Sequence, residues 1–181
     1  RHHPDNMPMF KGTTVEDISC YLIQNQRLLL EKIKDDDRFS RDILALPSMA
    51  QFRTTRRIDG DYTLSVDDQF RHFDDSIGTI CDFDHRDIVY EVPYRCLVRH
   101  EFDNMITAGR SASADGYAWD VLRVIPPAIL TGQAAGLAAA QALSENKPIC
   151  SIHQKTLQHS LAQSGVRIHF EDDLVLPSAM D

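Results

Sequence analysis

Apolar residues near the start of the chain recur at the three- and four-residue spacing of an amphipathic α-helix. They are Val15, Ile18, Leu22, Leu29 and Ile33. Thr13 and Glu16 form a capping box, in which each side chain bonds to the backbone amide of the other residue. A long helix is therefore predicted over residues 14–35. It should end at the acidic run 35–37, because carboxylates oppose the negative end of the helix dipole.

The pattern changes to that of short β-strands between residues 51 and 98. β-branched and aromatic residues are frequent there, and glycine and proline punctuate them. Three stretches carry this pattern: QFRTTRRIDGDYTL, SIGTICDF and DIVYEVPYRCLV. A short helix over residues 41–46, stopped by Pro47, should precede them. A further strand, over residues 102–108, should end in a glycine turn.

The helical pattern returns in RVIPPAILTGQAAGLAAAQAL, residues 123–143. Pro126 and Pro127 suit the first turn of this helix, where a missing amide donor costs nothing. The sequence therefore predicts a second long helix that starts at the prolines.

A last helix and a terminal strand complete the pattern. Ser151 can cap the helix, which runs to about Gln163 and is closed by Gly165 in the left-handed conformation. A strand over residues 166–170 should follow. Together the elements predict an α+β fold, partly α/β, in which long helices accompany a small, mainly antiparallel sheet.

The composition is typical of a globular protein, with 43% hydrophobic and 25% charged residues among 181. The net charge of -8 argues against a nucleic-acid partner, since duplex binding needs a surface rich in lysine and arginine. The longest apolar run is well short of the ~20 residues that a membrane helix needs. We therefore expect a soluble, cytoplasmic protein with no membrane contact.

The cysteines form no C-x-x-C pair, which argues against a zinc knuckle or a redox pair. They are Cys20, Cys81, Cys96 and Cys150. Reduced, mostly buried thiols are the expectation.

Two glycines four residues apart in the second long helix call for an explanation, because each costs about 0.5–1 kcal/mol relative to alanine. Ala128, Gly132, Gly136 and Ala140 lie on one helical face and form a stripe without bulk. Three partners could approach it closely: a second membrane helix, a sheet, or a ligand at the helix start. The run is too short and too polar for the first.

The residues before this helix favour the ligand, because a strand, a glycine turn and a helix start are the parts of dinucleotide sites. NMITAGRSASADGYAWDVLRVIPPAILTGQAAGLAAAQAL resembles the C-terminal flavin motif of FAD-dependent oxidoreductases of the glutathione-reductase and succinate-dehydrogenase kind. More narrowly, it is similar to the bacterial FAD-dependent oxidoreductase family. RRIDGDYTL and YEVPYRCL resemble upstream segments of that family, so the similarity covers roughly residues 50–145.

The resemblance implies that the backbone of Gly109 and Arg110 lies beside the pyrophosphate and ribityl chain of FAD. The amides of residues 132–134 would direct the helix dipole at the pyrimidine edge of the flavin, which is negative when reduced. The cofactor-binding residues that it implies are Gly109, Arg110, Ser113, Arg123, Gly132, Gln133 and Ala134.

The resemblance also implies a division of the chain into three portions. Residues 1–100 would be a helical and β portion of the substrate or cap domain. Residues 101–145 would be the strand, loop and helix that complete an FAD-binding, Rossmann-like domain. Residues 146–181 would form a tail of one helix and one strand.

The glycines cannot form the G-x-G-x-x-G fingerprint that binds ADP in this family, because no two of them stand two residues apart. The chain also begins with Arg1, His2 and His3, which indicates a processed, tagged or truncated chain. We therefore expect the C-terminal fragment of a bacterial FAD-dependent oxidoreductase, whose partner is the missing N-terminal segment. Alone it should be inactive and bind FAD weakly or not at all.

Arg57, Tyr94 and Arg95 are the candidate catalytic residues. Arg57, with Arg56, could clamp a carboxylate of a small-molecule substrate, or pair with the acids at positions 59, 61, 67 and 68. By the resemblance, Tyr94 and Arg95 could face the flavin, or they could make a structural hydrogen bond and an ion pair.

No metal site is expected from the histidines. His72 and His85 stand near acidic residues, but at no spacing typical of metal ligands, which favours solvated surface charge.

Two other functions stay open. The chain could be a non-enzymatic binding or oligomerisation module that keeps the fold without the cofactor. Uncovered apolar surface would then favour a homodimer or another partner chain. It could also be a small α+β enzyme that acts through Tyr94, Arg95 and a histidine.

Overall fold

The computed structural model of the protein describes residues 7–34, 36–37, 39–40, 42–46 and 48–172. The chain divides into two compact units, Arg1–Arg56 and Arg57–Asp181. The described residues form four α-helices and a two-stranded antiparallel sheet, so the predicted α+β class is confirmed. The functional division at residues 100 and 145 stays a prediction.

The first unit contains helix α1, Val15–Lys34, which confirms the first long helix. The hydroxyl of Thr14, and not that of Thr13, accepts the Asp17 amide at 3.2 Å. The cap is therefore one residue later than the capping box indicated. The helix ends just before the acidic run, as predicted.

The short helix predicted over residues 41–46 is wrong for residues 42–46, which are irregular and exposed. So short a helix needs a packed face to be stable, and these residues have none. Arg41 and Pro47 lie outside the described residues.

The second unit contains the sheet. Strand β1, Ser76–Cys81, pairs antiparallel with strand β2, Val89–Pro93, in a register that places Thr79 opposite Glu91. A register irregularity lies between Ser76 and Thr79. Both strands confirm stretches that were predicted from their β-branched and aromatic residues.

The other three stretches predicted as strands are irregular. Residues 51–64 and 102–108 each contribute one isolated bridge. Residues 166–170 run beside β1, where the Thr79 amide donates to the Arg167 carbonyl at 2.9 Å. These predictions were wrong because a strand needs successive backbone bonds to a neighbour, which these segments lack.

Helix α3, Ile125–Glu145, packs on β1 and has prolines in its first turn, as predicted. Its buried face consists of Pro127, Thr131, Ala134, Ala138 and Ala142. The close approach to the sheet occurs at Gly78, where an added Cβ atom would lie 2.8 Å from Leu130 Cδ1 and 3.0 Å from Val166 Cγ1. The glycine that lets the helix approach the sheet is therefore in the strand.

Two shorter helices accompany α3. Helix α2, Gly116–Leu122, was not predicted. Helix α4, Gln154–Gln163, confirms the last helix, but its cap is His153, because Ser151 belongs to the preceding 3₁₀ turn. Gly165 has the positive φ of +85° that was predicted after this helix.

No single helix in the described part of the chain is long and apolar enough to cross a membrane. α2 and α3 meet that requirement only when they are taken together, across a bend of 78°.

The four cysteines are free thiols. Cys96 is buried and Cys150 is half-buried, but Cys20 and Cys81 are exposed, so the expectation of mostly buried thiols was wrong for those two. Burial raises the pKa of the Cys96 thiol to about 12.

Gly78→Ala should lower the free energy of unfolding by about 1–3 kcal/mol. The added methyl group would overlap with Leu130, and the φ of +149° is one that residues with side chains rarely adopt. Urea denaturation of the two proteins measures the difference. Gly136→Ala is the matched control, because a Cβ atom there meets nothing within 4 Å. It should stabilise the chain by about 0.5–1 kcal/mol through helix propensity, and equal losses at both positions would contradict the packing.

Titration of the native protein with a disulfide reagent at about pH 8 should modify Cys20 and Cys81 quickly and leave Cys96 unmodified. The thiolate is the reactive form, and a pKa of about 12 leaves roughly one Cys96 thiol in ten thousand ionised. Cys96→Ala should therefore leave the fast phase unchanged and remove only the reaction seen after denaturation. Fast labelling of Cys96 before unfolding would show that the site is open.

Candidate functional site

The glycine turn before α3 is tied to the helix by a buried hydroxyl. Gly109 starts a 3₁₀ turn with a φ of +63°, and its amide donates to Thr131 Oγ1 at 2.8 Å. The same hydroxyl donates to the Pro127 carbonyl at 2.8 Å. Thr131 is fully buried, and a Cβ atom on Gly109 would lie 3.4 Å from that of Ala128. The turn therefore has one fixed position against the first turns of α3.

Helix α3 begins at Ile125, well before residues 132–134. Its cap is Val124, whose side chain makes no capping hydrogen bond. The amides of residues 132–134 lie about two turns inside the helix, where each amide donates to the carbonyl four residues earlier. The positive end of the dipole therefore lies at residues 124–127, and a contact between residues 132–134 and a flavin stays a prediction.

The stripe of small residues lies on the open face of α3. Gly132, Gly136 and Ala140 are exposed, and a Cβ atom on either glycine would meet no described atom within 4 Å. The opposite face is the one that packs into the core. Close packing of the stripe on a sheet is therefore not found within the described residues.

Arg57 and Ser113, which are far apart in sequence, are brought together. Arg57 Nη1 donates to Ser113 Oγ at 2.9 Å and to the Ile58 carbonyl at 3.0 Å. Ser113 is fully buried and also bonds to Thr63 Oγ1 at 2.9 Å. Arg57 is half-buried. One predicted catalytic residue and one predicted cofactor-binding residue thus form a single hydrogen-bonded group.

The predicted ion pairs of Arg56 and Arg57 are not found. Among the described residues neither guanidinium pairs with an acid, and Arg56 instead donates to the Thr13 carbonyl at 2.7 Å. Arg56 therefore makes a structural hydrogen bond within the first unit.

Tyr94 and Arg95 make the structural contacts that were the alternative to a catalytic role. The buried Tyr94 hydroxyl donates to the Ile149 carbonyl at 2.7 Å, and burial raises the pKa of this phenol. Arg95 binds Asp75 through two hydrogen bonds of 2.9 and 3.1 Å and lies over the ring of Tyr62. A catalytic role for either residue stays a prediction.

The remaining predicted residues are spread along the turn and helix. Arg110 is exposed, and its carbonyl accepts the Trp119 indole at 2.8 Å. Arg123 is paired with Asp120, at 2.8 Å from Nε to Oδ1. Gln133 is half-buried and Ala134 is buried on the core side of α3.

A polar cluster around Glu91 was missed by sequence reasoning. Glu91 is fully buried in β2, and its Oε2 accepts the Phe73 amide at 2.8 Å. His72 Nδ1 lies 2.6 Å from Glu91 Oε1, and His169 Nδ1 lies 3.0 Å from each carboxylate oxygen. The second imidazole nitrogen of His72 contacts Asp172, and hydrogen bonds to Asp172 and Glu91 raise the pKa of His72.

The side chain of His72 is 44% exposed, as expected for surface charge, but it also bonds to the buried Glu91. One signal was available in the sequence, since VYEVP places a carboxylate inside a run of apolar strand residues. No signal linked residues 72, 91 and 169, because their hydrogen bonds join residues 19 and 78 positions apart in the chain.

A family model described as FAD dependent oxidoreductase matches residues 14–161. The matched range contains both strands, the Gly109 turn, α3 and all the predicted site residues, and it ends before His169. Neither the curated proteins nor the solved structures include a match to the chain.

Thr131→Val should lower the free energy of unfolding by about 1–3 kcal/mol, because it leaves the Gly109 amide without its acceptor while keeping the side-chain shape. Chemical denaturation measures the loss. Thr156→Val, at an exposed position of α4, is the matched control and should change stability by less than about 0.5 kcal/mol. If the two variants were equally stable, the hydroxyl would not hold the turn.

Proposed function

The chain belongs to the FAD-dependent oxidoreductase family, and we propose that it supplies the C-terminal part of such an enzyme, with flavin contacts and part of the substrate domain. A further segment of the same protein would bind the ADP half of the cofactor, since these 181 residues contain no G-x-G-x-x-G fingerprint. The chain by itself would then be inactive.

The open face of α3 is the observation that carries this proposal. Ile125, Ile129 and Leu143 are 76%, 65% and 83% exposed, and they lie on the same side as Gly132 and Gly136. Exposed apolar surface of this kind marks a contact site. The chain's own packing does not require either glycine, because the space beside both is open. A cofactor and a covering segment close to the helix would explain the glycines and the apolar residues together.

Two features of the start of α3 support a flavin there, one of shape and one of charge. Gly109 presents backbone without a side chain, and Arg110 beside it is exposed. The helix dipole favours a negative group near Val124 by about 0.3–2 kcal/mol. Pro126 and Pro127 lack amide hydrogens, so the first turn would act mainly through its field. The pyrophosphate would lie near Gly109 and Arg110, and the reduced flavin near the helix start.

The bound flavin would supply hydride transfer. The contribution of this chain would be to orient a small-molecule substrate, and Arg57 is its best candidate for that role. No described acid neutralises Arg57, and Ser113 and the Ile58 carbonyl hold Nη1, so the guanidinium is oriented and keeps donors for a substrate carboxylate. Ser113 would act through Arg57 and not by contact with the substrate.

The decisive experiment compares the chain alone with the same chain joined to its upstream coding region. After mixing with FAD and gel filtration, the joined protein should be yellow and the chain alone colourless. In the joined protein Gly132→Leu should weaken FAD retention about tenfold or more, which corresponds to ~1.4 kcal/mol of overlap in a close contact. In the chain alone the same substitution should not destabilise the fold, and it should stabilise it by about 0.5–1 kcal/mol through helix propensity.

Ala162→Leu is the matched control, because it adds similar bulk at an exposed position of α4. It should leave FAD retention unchanged in the joined protein. A joined protein that stays colourless, or a chain that forms a stable dimer through α3, would instead support the non-enzymatic module. Full FAD retention by Gly132→Leu would show that the cofactor and its segment do not cover this face.

A further inference from the structure

We propose that His72, Glu91 and His169 form a binding site for a divalent transition-metal ion, with Zn²⁺ as the reference ion. Each residue offers one ligand atom, and these three atoms lie within 4.8 Å of one another. The site is separate from the Gly109 turn and does not depend on the proposed flavin function. His169 also lies beyond the range that the family model matches.

The donor set suits such an ion. Imidazole nitrogen and carboxylate oxygen bind Zn²⁺ at about 2.0–2.2 Å, and two imidazoles plus one carboxylate leave a fourth position for water. Two donors at that distance in tetrahedral geometry are roughly 3.3 Å apart. The nitrogens of His72 and His169 lie 2.6 and 3.0 Å from Glu91 Oε1. To make room for the ion, the His72 nitrogen would have to move away from Glu91 Oε1 by roughly 0.7 Å and the His169 nitrogen by roughly 0.3 Å.

The charge of Glu91 is the second reason. A buried carboxylate is costly unless a cation pairs with it. In the described part of the chain the ion-pair partners of Glu91 are His72 and His169, and no lysine or arginine pairs with it. A protonated His72 can supply positive charge, because both of its ring nitrogens face carboxylates, so the ion would have to displace the proton on Nδ1. An ion held among the three residues would supply the charge and keep both imidazoles as ligands.

The surroundings of His72 match those of a metal-binding histidine. Its Nδ1 faces Glu91, while Nε2 lies 3.0 Å from Asp172 Oδ1. A metal-binding histidine usually donates its second N–H to a carboxylate or carbonyl, which fixes the ring orientation. The ring also stacks on Phe170, with centroids 4.1 Å apart. Two contacts outside the donor set thus hold the ligand in place.

The exposure of the two histidines and the positions of the three ligands in the chain indicate what a bound ion would do. The side chains of His72 and His169 are each 44% exposed, so water and free ions can reach the site. The three ligands come from the loop before β1, from β2 and from the segment after α4. An ion bound there would clip that segment to the sheet, and it would stabilise the folded chain because the unfolded chain has no assembled site.

The test is Zn²⁺ binding to the full chain in a background that carries His2→Ala and His3→Ala, which removes the histidines at the start of the sequence. Equilibrium dialysis with elemental analysis should find one Zn²⁺ per chain, and Zn²⁺ should raise the melting temperature. His169→Ala and His72→Ala should each weaken binding at least about tenfold and abolish the rise. His159→Ala, at an exposed position of α4, is the matched control and should bind as the background does.

Two further measurements separate ligation from a merely structural effect. Asp172→Asn should weaken binding by about 10–100-fold without removing a ligand. Co²⁺ in place of Zn²⁺ should give visible absorption bands that His169→Ala loses and His159→Ala keeps. Glu91→Gln should abolish binding, but its burial makes loss of folding a competing outcome, so the half-exposed histidines decide the question.

The proposal is overturned if the background protein binds no Zn²⁺ in a 1:1 ratio. It is equally overturned if His169→Ala binds as tightly as His159→Ala. In either case Glu91 and its two histidines form a hydrogen-bonded cluster only.

Discussion

The close approach of helix α3 to β1 is the constraint on which the second unit depends. The same helix holds the Gly109 turn, so its distance from the sheet also fixes the position of that turn. The buried side chains of α3 are no bulkier than proline or threonine, and the absence of a side chain at Gly78 leaves room for the partly buried Leu130. At that short distance the Thr131 hydroxyl reaches both the Gly109 amide and the Pro127 carbonyl. A larger core face would hold the helix further away, and the turn would lose its anchor.

The same constraint explains why the helix has a second, unused face. With the small residues at 134, 138 and 142 committed to the core, Gly132 and Gly136 point away from it. The resemblance to flavoenzymes assigned these glycines a close contact, and the second unit does not provide one. The family membership supplies a reason for an outside contact, whereas the chain's own stability gives none. That difference makes the open face informative about function.

The Glu91 cluster follows a different rule. A buried carboxylate in β2 needs hydrogen-bond donors or positive charge close to its two oxygens. In this fold the donors come from the loop before β1 and from the segment after α4. Neither of these two segments is part of the helix and turn that resemble a flavin site. The second unit therefore contains two separate polar sites. One is the Gly109 turn, which is held by Thr131 of α3, and the other is the cluster around the buried Glu91.

The sequence alone determined the elements whose pattern is local. Helical spacing located α1 and α3, prolines marked the start of α3, and β-branched runs located β1 and β2. The motif order also pointed to the family that the comparison confirmed. Segments 102–108 and 166–170 have strand-like composition. Composition does not show whether a neighbouring segment is placed to form successive backbone hydrogen bonds with them. Tertiary structure alone decided which side of α3 is buried, because both sides are small or apolar and no hydrophobic contrast separates them. It also decided the partners of Arg57, Tyr94 and Glu91, since contacts across tens of residues depend on how the chain returns and not on spacing.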